Sequence, residues 1–251
     1  MAGILKVDQI QNTAGVNIMD LQNDKLQIWN GSGYSDMSTP GALIGIQVYT
    51  SQDGTWNAKS TSGGSGTWTK PAGCNHVLVY VTGGGGGARI NDNAYRGAGG
   101  GGGATTIKYI DVSGVASVTY QYGGGGGYAR NSGRGGIGGT SSFGSYCTAT
   151  GGQGGQSDNP HQGGPGGNAS GGDINLPGGG GEMAHGADRE GAGGSSYWHK
   201  AGSSHHYYNN QEEITHGQWG SGGGHGYYSQ NDFAYNNSNG GAGCVIVWEY
   251  T

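Results

Sequence analysis

Residues 123–243 contain too few aliphatic side chains to form an ordinary hydrophobic core. The stretch holds 39 glycines, and its Val, Ile and Leu residues are only Ile137, Ile174, Leu176 and Ile214. Burial of apolar surface is the main driving force of folding, so this stretch must either order itself through another interaction or stay unfolded. Glycine makes up 62 of the 251 residues, and 52 of the glycines follow residue 72. The fold therefore has to be explained from the glycine backbone.

The glycines are clustered, and the clusters predict rods in the polyproline-II conformation. Such a chain has three residues per turn and no internal hydrogen bonds, so its N–H and C=O groups project sideways. Since glycine has no Cβ, neighbouring rods can approach closely enough to pair backbone to backbone. We expect about eleven rods, at residues 83–87, 97–103, 123–127, 133–139, 151–155, 163–167, 171–172, 178–181, 191–194, 220–226 and 240–243.

A single rod of this kind does not fold alone. Ordering one residue costs about 1–2 kcal/mol, whereas one hydrogen bond returns a net of about 0.5–1.5 kcal/mol. We therefore expect a bundle of rods supported by β-sheet packing. Glycine-rich composition is also typical of disordered tails, but 16 Tyr and 6 Trp argue against that alternative.

Short runs rich in Val, Ile, Thr and Tyr predict β-strands around the glycine region, and no convincing amphipathic helix is present. The predicted class is all-β, with a β-sandwich-like framework at 41–122, a polyglycine-II insert at 123–243 and a closing strand at 244–251. The other predicted strands are Ile44–Thr50, Thr67–Thr69, His76–Thr82, Ala104–Val112 and Val115–Tyr122.

Residues 1–40 form a separate unit. Lys25–Gly31 is typical of a strand that runs into a turn, with Leu26 and Ile28 on one face. Forty residues bury too little surface to be stable alone. The segment is predicted to attach the chain to other proteins and to oligomerise it.

Several functional classes are disfavoured. With 11 basic and 16 acidic residues the chain lacks the positive charge of a nucleic-acid-binding protein, and no apolar stretch is long enough for membrane insertion. Neither a phosphate-loop motif nor a nucleophile elbow is present, so we expect neither an enzyme nor a cofactor. Cys74, Cys147 and Cys244 lack metal-site spacing and are predicted to be buried thiols, although Cys74 and Cys244 could lie close together.

The segments that connect the glycine clusters carry the candidate recognition residues. Tyr and Trp provide a large contact area at low entropic cost, and such residues next to Asn resemble an antibody paratope or a sugar-binding surface. The alternative is that these side chains only cover the bundle and contact neighbouring subunits. A metal site at His199, His205 and His206 is disfavoured because no carboxylate spacing supports it. The candidates are Tyr197, Trp198, His199, His205, His206, Tyr207, Tyr208, Trp219, His225, Tyr227, Tyr228, Phe233 and Tyr235.

Three groups of motifs resemble the glycine-rich domain of phage tail proteins. The opening, Trp68–Gly73 followed by Val77–Thr82 and Gly83–Gly87, resembles the start of that domain. Ser141–Gly144 resembles its middle, and Gly240–Val247 resembles its end. The stacked rods are also similar to the polyglycine sandwich of T-even-type tail-fibre adhesins, in which distal loops bind the receptor.

The resemblance implies a virion protein, namely a tail-fibre tip or adhesin that recognises a polysaccharide or an outer-membrane protein of the host. Its expected partners are other tail proteins, through residues 1–40, and further copies of itself, with a trimer favoured. One alternative is a structural capsid or tail decoration protein without receptor binding. Another is an ice-binding protein, which would need a flat face of small repeated residues.

Overall fold

The structure is a computed structural model. It describes the backbone alone for residues 9–11, 17–22, 25–29, 34–36, 90–91 and 96. Backbone and side chains are described for residues 41–52, 61–89, 97–130, 133–156, 162–183, 191–202, 217–224 and 238–251.

The described residues form seventeen β-strands and no helix. In chain order they are β1 (Gln9–Gln11), β2 (Asn17–Gln22), β3 (Lys25–Trp29), β4 (Tyr34–Asp36), β5 (Leu43–Tyr49), β6 (Gly64–Thr69), β7 (His76–Thr82), β8 (Arg89–Asn91), β9 (Arg96–Ala98), β10 (Thr105–Asp111), β11 (Ser117–Tyr122), β12 (Ala129–Arg130), β13 (Ser141–Phe143), β14 (Cys147–Ala149), β15 (Ala169–Ser170), β16 (Ile174–Leu176) and β17 (Cys244–Tyr250).

Two antiparallel five-stranded sheets form the framework. The first sheet has the order β16-β10-β7-β17-β5, and the second has the order β15-β14-β13-β11-β6. The all-β, sandwich-like class predicted from the sequence is thus confirmed. The N-terminal strands β1 to β4 form their own four-stranded sheet, and β12, β8 and β9 form a small three-stranded one. Within the described part of the chain, no helix is long and apolar enough to cross a membrane.

The core lies between the two five-stranded sheets and follows the two-residue period of a strand. Val77, Val79 and Val81 of β7 alternate inwards and are fully buried, because a half-buried strand turns every second side chain to one face. From the second sheet, Trp68 and Phe143 meet them, with ring centroids 6.0 Å apart. This core is the conventional apolar part of the molecule.

A buried carboxylate joins the two sheets. Glu249 of β17 is 3% exposed and accepts a hydrogen bond at 2.8 Å from the indole N–H of Trp68, on the opposite sheet. The amide of Gln47 on β5 donates to the same oxygen at 2.6 Å. A Cβ at Gly45 would overlap the other carboxylate oxygen, so a side chain at this position would displace the Glu249 carboxylate from its present place.

The six long strands of the two five-stranded sheets agree with the sequence prediction, but the four short strands of these sheets were not predicted. Strands β13 to β16 have only two or three residues each and are built from Ser, Ala, Asn and a few larger side chains, so they show no clear apolar pattern. One predicted rod is wrong. Gly171 and Gly172 lie in the connection between β15 and β16, and Gly171 has a φ of +82°, which is a turn conformation and not a rod.

Ten glycine-rich rods are present among the described residues. Rods 1 to 10, in chain order, are residues 83–88, 99–104, 123–128, 133–140, 150–156, 162–168, 177–183, 191–196, 220–224 and 238–243.

Hydrogen bonds between the rods repeat every three residues. In rod 1, the N–H of Gly83 donates to Ala104, and three residues later that of Gly86 donates to Gly101, both in rod 2. The residues in between donate in turn to rods 4 and 10, and the carbonyls of rod 1 accept from rods 3, 5 and 9. A three-residue repeat is the period of the polyproline-II helix, so successive peptide groups point in three directions.

The rods pack as a hexagonal lattice around two inner rods. Rod 1 bonds to rods 2, 3, 4, 5, 9 and 10, and rod 2 bonds to rods 1, 5, 6, 7, 8 and 9. Both inner rods are buried along their whole length. They come from the part of the chain that was assigned to the framework, before residue 123. The layers of the bundle are rods 4-5-6, rods 3-1-2-7 and rods 10-9-8.

Gly125→Ala should prevent soluble folding, whereas Gly127→Ala in the same rod should be tolerated. A Cβ at Gly125 would overlap the carbonyl oxygen of Gly240 in rod 10, but a Cβ at Gly127 meets nothing within 4 Å. The backbone of rod 10 cannot move aside without breaking the hydrogen bonds of the lattice. The methyl group of Gly125→Ala is therefore incompatible with the lattice, whereas that of Gly127→Ala is not. Soluble yield and thermal melting of the two variants measure this, with Gly127→Ala expected within about 0.5 kcal/mol of wild type. Equal melting of both variants would contradict the packed-rod structure.

Candidate functional site

Most rods are direct continuations of sandwich strands, and this fixes where the connectors lie. Eight of the ten are joined to a strand of the two five-stranded sheets without a break, for example β7 to rod 1 and rod 10 to β17. Rods 8 and 9 instead begin or end at two turns, residues 197–200 and 217–220. Gly103 donates to Gly220, next to β10, so the second turn lies where the first sheet meets the rods. We call this region the junction.

The junction carries four of the predicted recognition residues. The two turns are joined there by the hydroxyl of Ser196, which donates at 2.6 Å to the carbonyl of Trp219. We define the junction patch by Tyr80 of β7 together with the four candidates Tyr197, Trp198, His199 and Trp219. The sequence predicts these four as recognition residues, whereas it predicts Tyr80 only as part of a strand.

Trp198 and Tyr197 have different environments although they are adjacent. The indole N–H of Trp198 donates at 3.0 Å to the hydroxyl of Thr82, and its ring lies 5.3 Å from that of Tyr80. The ring of Tyr197 stands perpendicular to Trp198 at 4.9 Å and is 50% exposed. Trp198 therefore packs against the first sheet, while Tyr197 offers a ring edge and face to an incoming molecule.

Trp219 is held in a backbone conformation that bulky side chains rarely adopt. Its φ is +46°, and it is the only non-glycine residue with positive φ in the described part of the chain. In a large residue this conformation costs of the order of 1–2 kcal/mol, whereas glycine adopts it freely. The side chain is half-buried. Glycine would adopt this conformation without strain, which makes the Trp219 side chain a candidate for a functional role.

The histidines do not form a metal site in the described region. His199 lies next to the carbonyl of Lys200, with Nδ1 at 2.6 Å, and no group of three or more His, Cys, Asp or Glu residues is close enough together among the described residues to hold an ion. His205 and His206, the other members of that hypothesis, lie outside the described residues.

Nine recognition candidates lie outside the described residues, in the segments 203–216 and 225–237. The chain enters 225–237 from rod 9 and leaves it into rod 10, at Ser238, which accepts from Ala88 at the end of rod 1. With a rise of about 3.1 Å per residue, that end lies about 19 Å along the rod from Thr82 at the junction. The candidates of this group are His205, His206, Tyr207, Tyr208, His225, Tyr227, Tyr228, Phe233 and Tyr235.

Buried polar groups stabilise the junction beneath Trp198. The hydroxyls of Thr82 on β7 and Thr105 on β10 lie 2.8 Å apart. On the other side of β7, Cys244 of β17 pairs with Thr82 in the strand register. Burial raises the pKa of the Cys244 thiol to about 12, although hydrogen bonds with Thr82 and Trp198 lower it. Burial also raises the pKa of Cys147 to about 11. All three cysteines are free, and Cys74 and Cys244 lie near opposite ends of the β7–β17 pair, so they are not close together.

Rods 4, 5 and 6, which form one outer layer of the bundle, present one side chain in every three residues to solvent. Arg134, Ile137 and Thr140 of rod 4 are exposed, and the glycines between them are wholly or partly buried. Rods 5 and 6 show the same pattern at Gln153 and Pro165. These side chains are long and chemically mixed, unlike the small repeated residues that an ice-binding face requires. The Gly-Gly-X period of these rods is visible in the sequence, and it would have predicted which rod positions are exposed.

Trp198→Ala should destabilise the protein much more than Tyr197→Ser. The first change removes a packed ring and the hydrogen bond from its indole N–H to Thr82, for which we expect a loss of about 2–3 kcal/mol in the free energy of unfolding. The second removes a half-exposed ring and should cost about 1 kcal/mol or less. Denaturant unfolding of both variants tests this. Comparable losses would show that Tyr197 is also part of the scaffold.

The buried Cys244 thiol should lower stability at alkaline pH. Because its pKa is raised from 9.0 to about 12 in the folded state, the unfolded chain loses this proton first as the pH rises. The free energy of unfolding should therefore fall between pH 9 and pH 12, by up to about 1.4 kcal/mol per pH unit for one thiol. Cys244→Ala should reduce that slope by one proton and leave the slope between pH 7 and pH 8 unchanged. Equal alkaline slopes would contradict the assignment.

A protein-family model described as "Glycine-rich domain" matches residues 59–250. The match spans most of the chain, so this protein belongs to the glycine-rich domain family. The matched region contains every strand of the two five-stranded sheets except β5, and it contains all ten rods. No curated protein matches the sequence.

Proposed function

We propose that this member of the glycine-rich domain family is a virion tail-fibre tip, an adhesin that recognises a surface polysaccharide or an outer-membrane protein of a bacterial host. Residues 1–40 attach it to other tail proteins and bring copies of the chain together. The sandwich and the rods hold the aromatic connectors in place. It acts by binding and carries out no reaction.

The observation that carries this proposal is Trp219. Strained backbone conformations cluster at ligand-binding positions, where the surrounding structure holds them in place. The strained turn is bonded to Ser196, next to the exposed ring of Tyr197. Aromatic rings with exposed faces stack on sugar rings and are enriched among residues that dominate binding energy.

The rod lattice supports the proposal as a rigid platform. Binding residues favour loops that are positioned by a rigid scaffold. Each inner rod is bonded to six others, so the ends from which the connectors leave are fixed relative to one another. A preorganised surface loses less entropy when it binds a partner.

Trp219→Gly should keep or raise the melting temperature while weakening binding to host cells by about tenfold or more. Glycine relieves the backbone strain at φ +46°, and the indole contact with the receptor is lost. Tyr207→Ser/Tyr208→Ser and Tyr227→Ser/Tyr228→Ser test the two connectors in the same assay. Binding of the labelled full chain to a panel of bacterial strains is measured by flow cytometry, with purified surface polysaccharide as competitor.

Ile137→Ser is the matched control, because it removes an exposed apolar side chain from rod 4, away from both the junction patch and the connectors. It should bind as wild type does. Unchanged binding in all three aromatic variants, or no binding to any strain by the wild-type chain, would reject the adhesin proposal.

A structural decoration protein is the second candidate, and one observation favours it. The first sheet exposes apolar side chains on the face that points away from the second sheet, as an assembly surface would. Immunogold labelling and copy number in purified particles separate the two functions. A tail tip occurs in a few copies at the end of the tail, whereas a decoration protein covers the capsid or the tail tube in many.

A further inference from the structure

One side of the sandwich is bounded by two edge strands. The first sheet ends at β5 and the second at β6. Both edges lie on the same side, because Tyr49 of β5 stacks on Tyr120 of β11, the neighbour of β6, with ring centroids 3.8 Å apart. The opposite edges, β15 and β16, have only two and three residues and follow each other closely in the chain. We call the side bounded by β5 and β6 the open side.

The backbone groups that β5 turns to the open side follow from the strand register. Gly83 donates to Ala104 where the β7–β10 pair continues into the rods, so the odd-numbered residues of β7 bond to β10 and the even-numbered ones to β17. The odd-numbered residues of β17 then bond to β5. Successive residues of a strand point their N–H and C=O groups to opposite sides, so Ile46 and Val48 direct theirs away from β17.

The strand β6 turns groups of the same kind to the open side. Lys70 donates to Ala116, so the even-numbered residues of β6 bond to β11, whereas Ser65, Thr67 and Thr69 face outwards. Unpaired edges attract further strands, and proteins usually protect them with charged residues or prolines. Neither β5 nor β6 contains a charged residue or a proline. The backbone of the open side is therefore suited to the addition of a strand.

The carboxylate of Glu249 is buried behind this edge and lacks an opposite charge. One of its oxygens accepts from Trp68 and Gln47, and no described residue donates to the other. That other oxygen lies where a Cβ of Gly45 would be, and it is not one of the unpartnered side-chain atoms that are sealed from solvent. No cationic side chain of the described region forms an ion pair with Glu249. Buried charges in proteins are normally paired, so this carboxylate calls for a cation at Gly45.

We infer that the open side binds an extended segment of a partner protein, which adds to β5 as a sixth strand of the first sheet and places a lysine or arginine opposite Gly45. Because Gly45 bonds to β17, it forms a non-hydrogen-bonded pair with the added strand, and side chains approach most closely in such a pair. Cβ atoms of cross-strand neighbours lie about 5 Å apart. The basic side chain therefore begins next to the free oxygen of Glu249, and its charge pairs with the carboxylate.

The exposed residues of β5 determine the other positions of the partner segment. Ile46 and Val48 are 48% and 50% exposed on the outer face, so the neighbouring positions of the added strand should be apolar. The positions between them face inwards, and the one opposite Gly45 is basic. A second copy of β5 does not fit this pattern, because its sequence Leu-Ile-Gly-Ile-Gln-Val-Tyr offers no basic side chain and leaves Glu249 unpaired.

The charge requirement can be tested on the full chain with a fluorescein-labelled peptide that alternates Val and Thr around one central Lys. We expect the wild type to bind this peptide in fluorescence anisotropy, and a peptide with Gln in place of the Lys to bind about tenfold more weakly. In Glu249→Gln the two peptides should bind equally, because the carboxylate that distinguishes them is gone while an amide oxygen can still accept from Trp68. Equal binding of both peptides by the wild type, or no binding of the Lys peptide at about 1 mM, overturns the inference.

Two proline variants identify the strand that is extended, and they do not depend on the folding of Glu249→Gln. Ile46→Pro removes an N–H that faces the open side, so it breaks no hydrogen bond to β17 but blocks the addition of a strand. It should abolish binding of the Lys peptide while the chain still melts cooperatively. Thr67→Pro is the matched control, since it makes the same change on β6 and should bind as the wild type does. Binding that survives Ile46→Pro, or that is lost only in Thr67→Pro, overturns the inference.

Sedimentation velocity tests the second copy as the occupant of β5. A wild type that self-associates and is dissociated by Ile46→Pro pairs β5 with another copy, and this result overturns the inference of a basic partner segment. None of these measurements uses host cells. The adhesin proposal is judged by Trp219→Gly and the connector variants, so either proposal can fail without the other.

Discussion

The hydrogen bond between neighbouring glycine rods is the interaction on which the rest of this structure depends. Each bond returns only about 1 kcal/mol net, less than or similar to the cost of ordering one glycine, so no rod is stable by itself. In the lattice, rods 1 and 2 use both donors and acceptors towards six neighbours each. That is possible only without Cβ atoms, since a methyl group at most inner positions would overlap a backbone oxygen of the next rod. Close approach, and not conformational freedom, is therefore what glycine contributes here.

The sandwich supplies what the rods lack. Its core holds large apolar side chains, including Trp68 and Phe143, in a conventional hydrophobic interior. Because eight rods extend from its strands, the strand register alone brings the starting points of these rods together, without any inter-rod bond. The entropy of collecting ten separate segments is thereby reduced. Rods 8 and 9 have no such strand, and the junction, with Ser196 bonded to Trp219, fixes their ends instead.

The sequence predicts this architecture well where a physical pattern repeats. The six long framework strands and nearly all the rods follow from β-branched runs and glycine clusters. The lattice order does not follow, because every glycine rod looks alike until its bonding partners are known. Short strands such as β14 carry too few residues for a pattern. In the candidate site, Tyr197 and Trp198 are equivalent in sequence, and only the bond from Trp198 to Thr82 separates a packing residue from an exposed one.

The same constraint determines where this protein can vary. Within the rods, side chains larger than Ser occur only at every third position of rods 4, 5 and 6 and near rod ends. The other places for them are the turns of the junction and the connectors, since most remaining rod positions lie against another backbone. Any recognition chemistry must therefore be concentrated in those places. This explains why the Tyr, Trp and His residues in the stretch 123–243 lie between the rods, with Tyr128 at the end of rod 3 as the exception. Trp219 occupies one of the turn positions that admit a side chain, but its backbone conformation there is strained. It occupies a turn whose φ of +46° suits glycine, beside Gly220, which packs against Thr82. Glycine would be unstrained at both positions, so the proposed binding role of the indole ring accounts for a strain that the scaffold itself does not require.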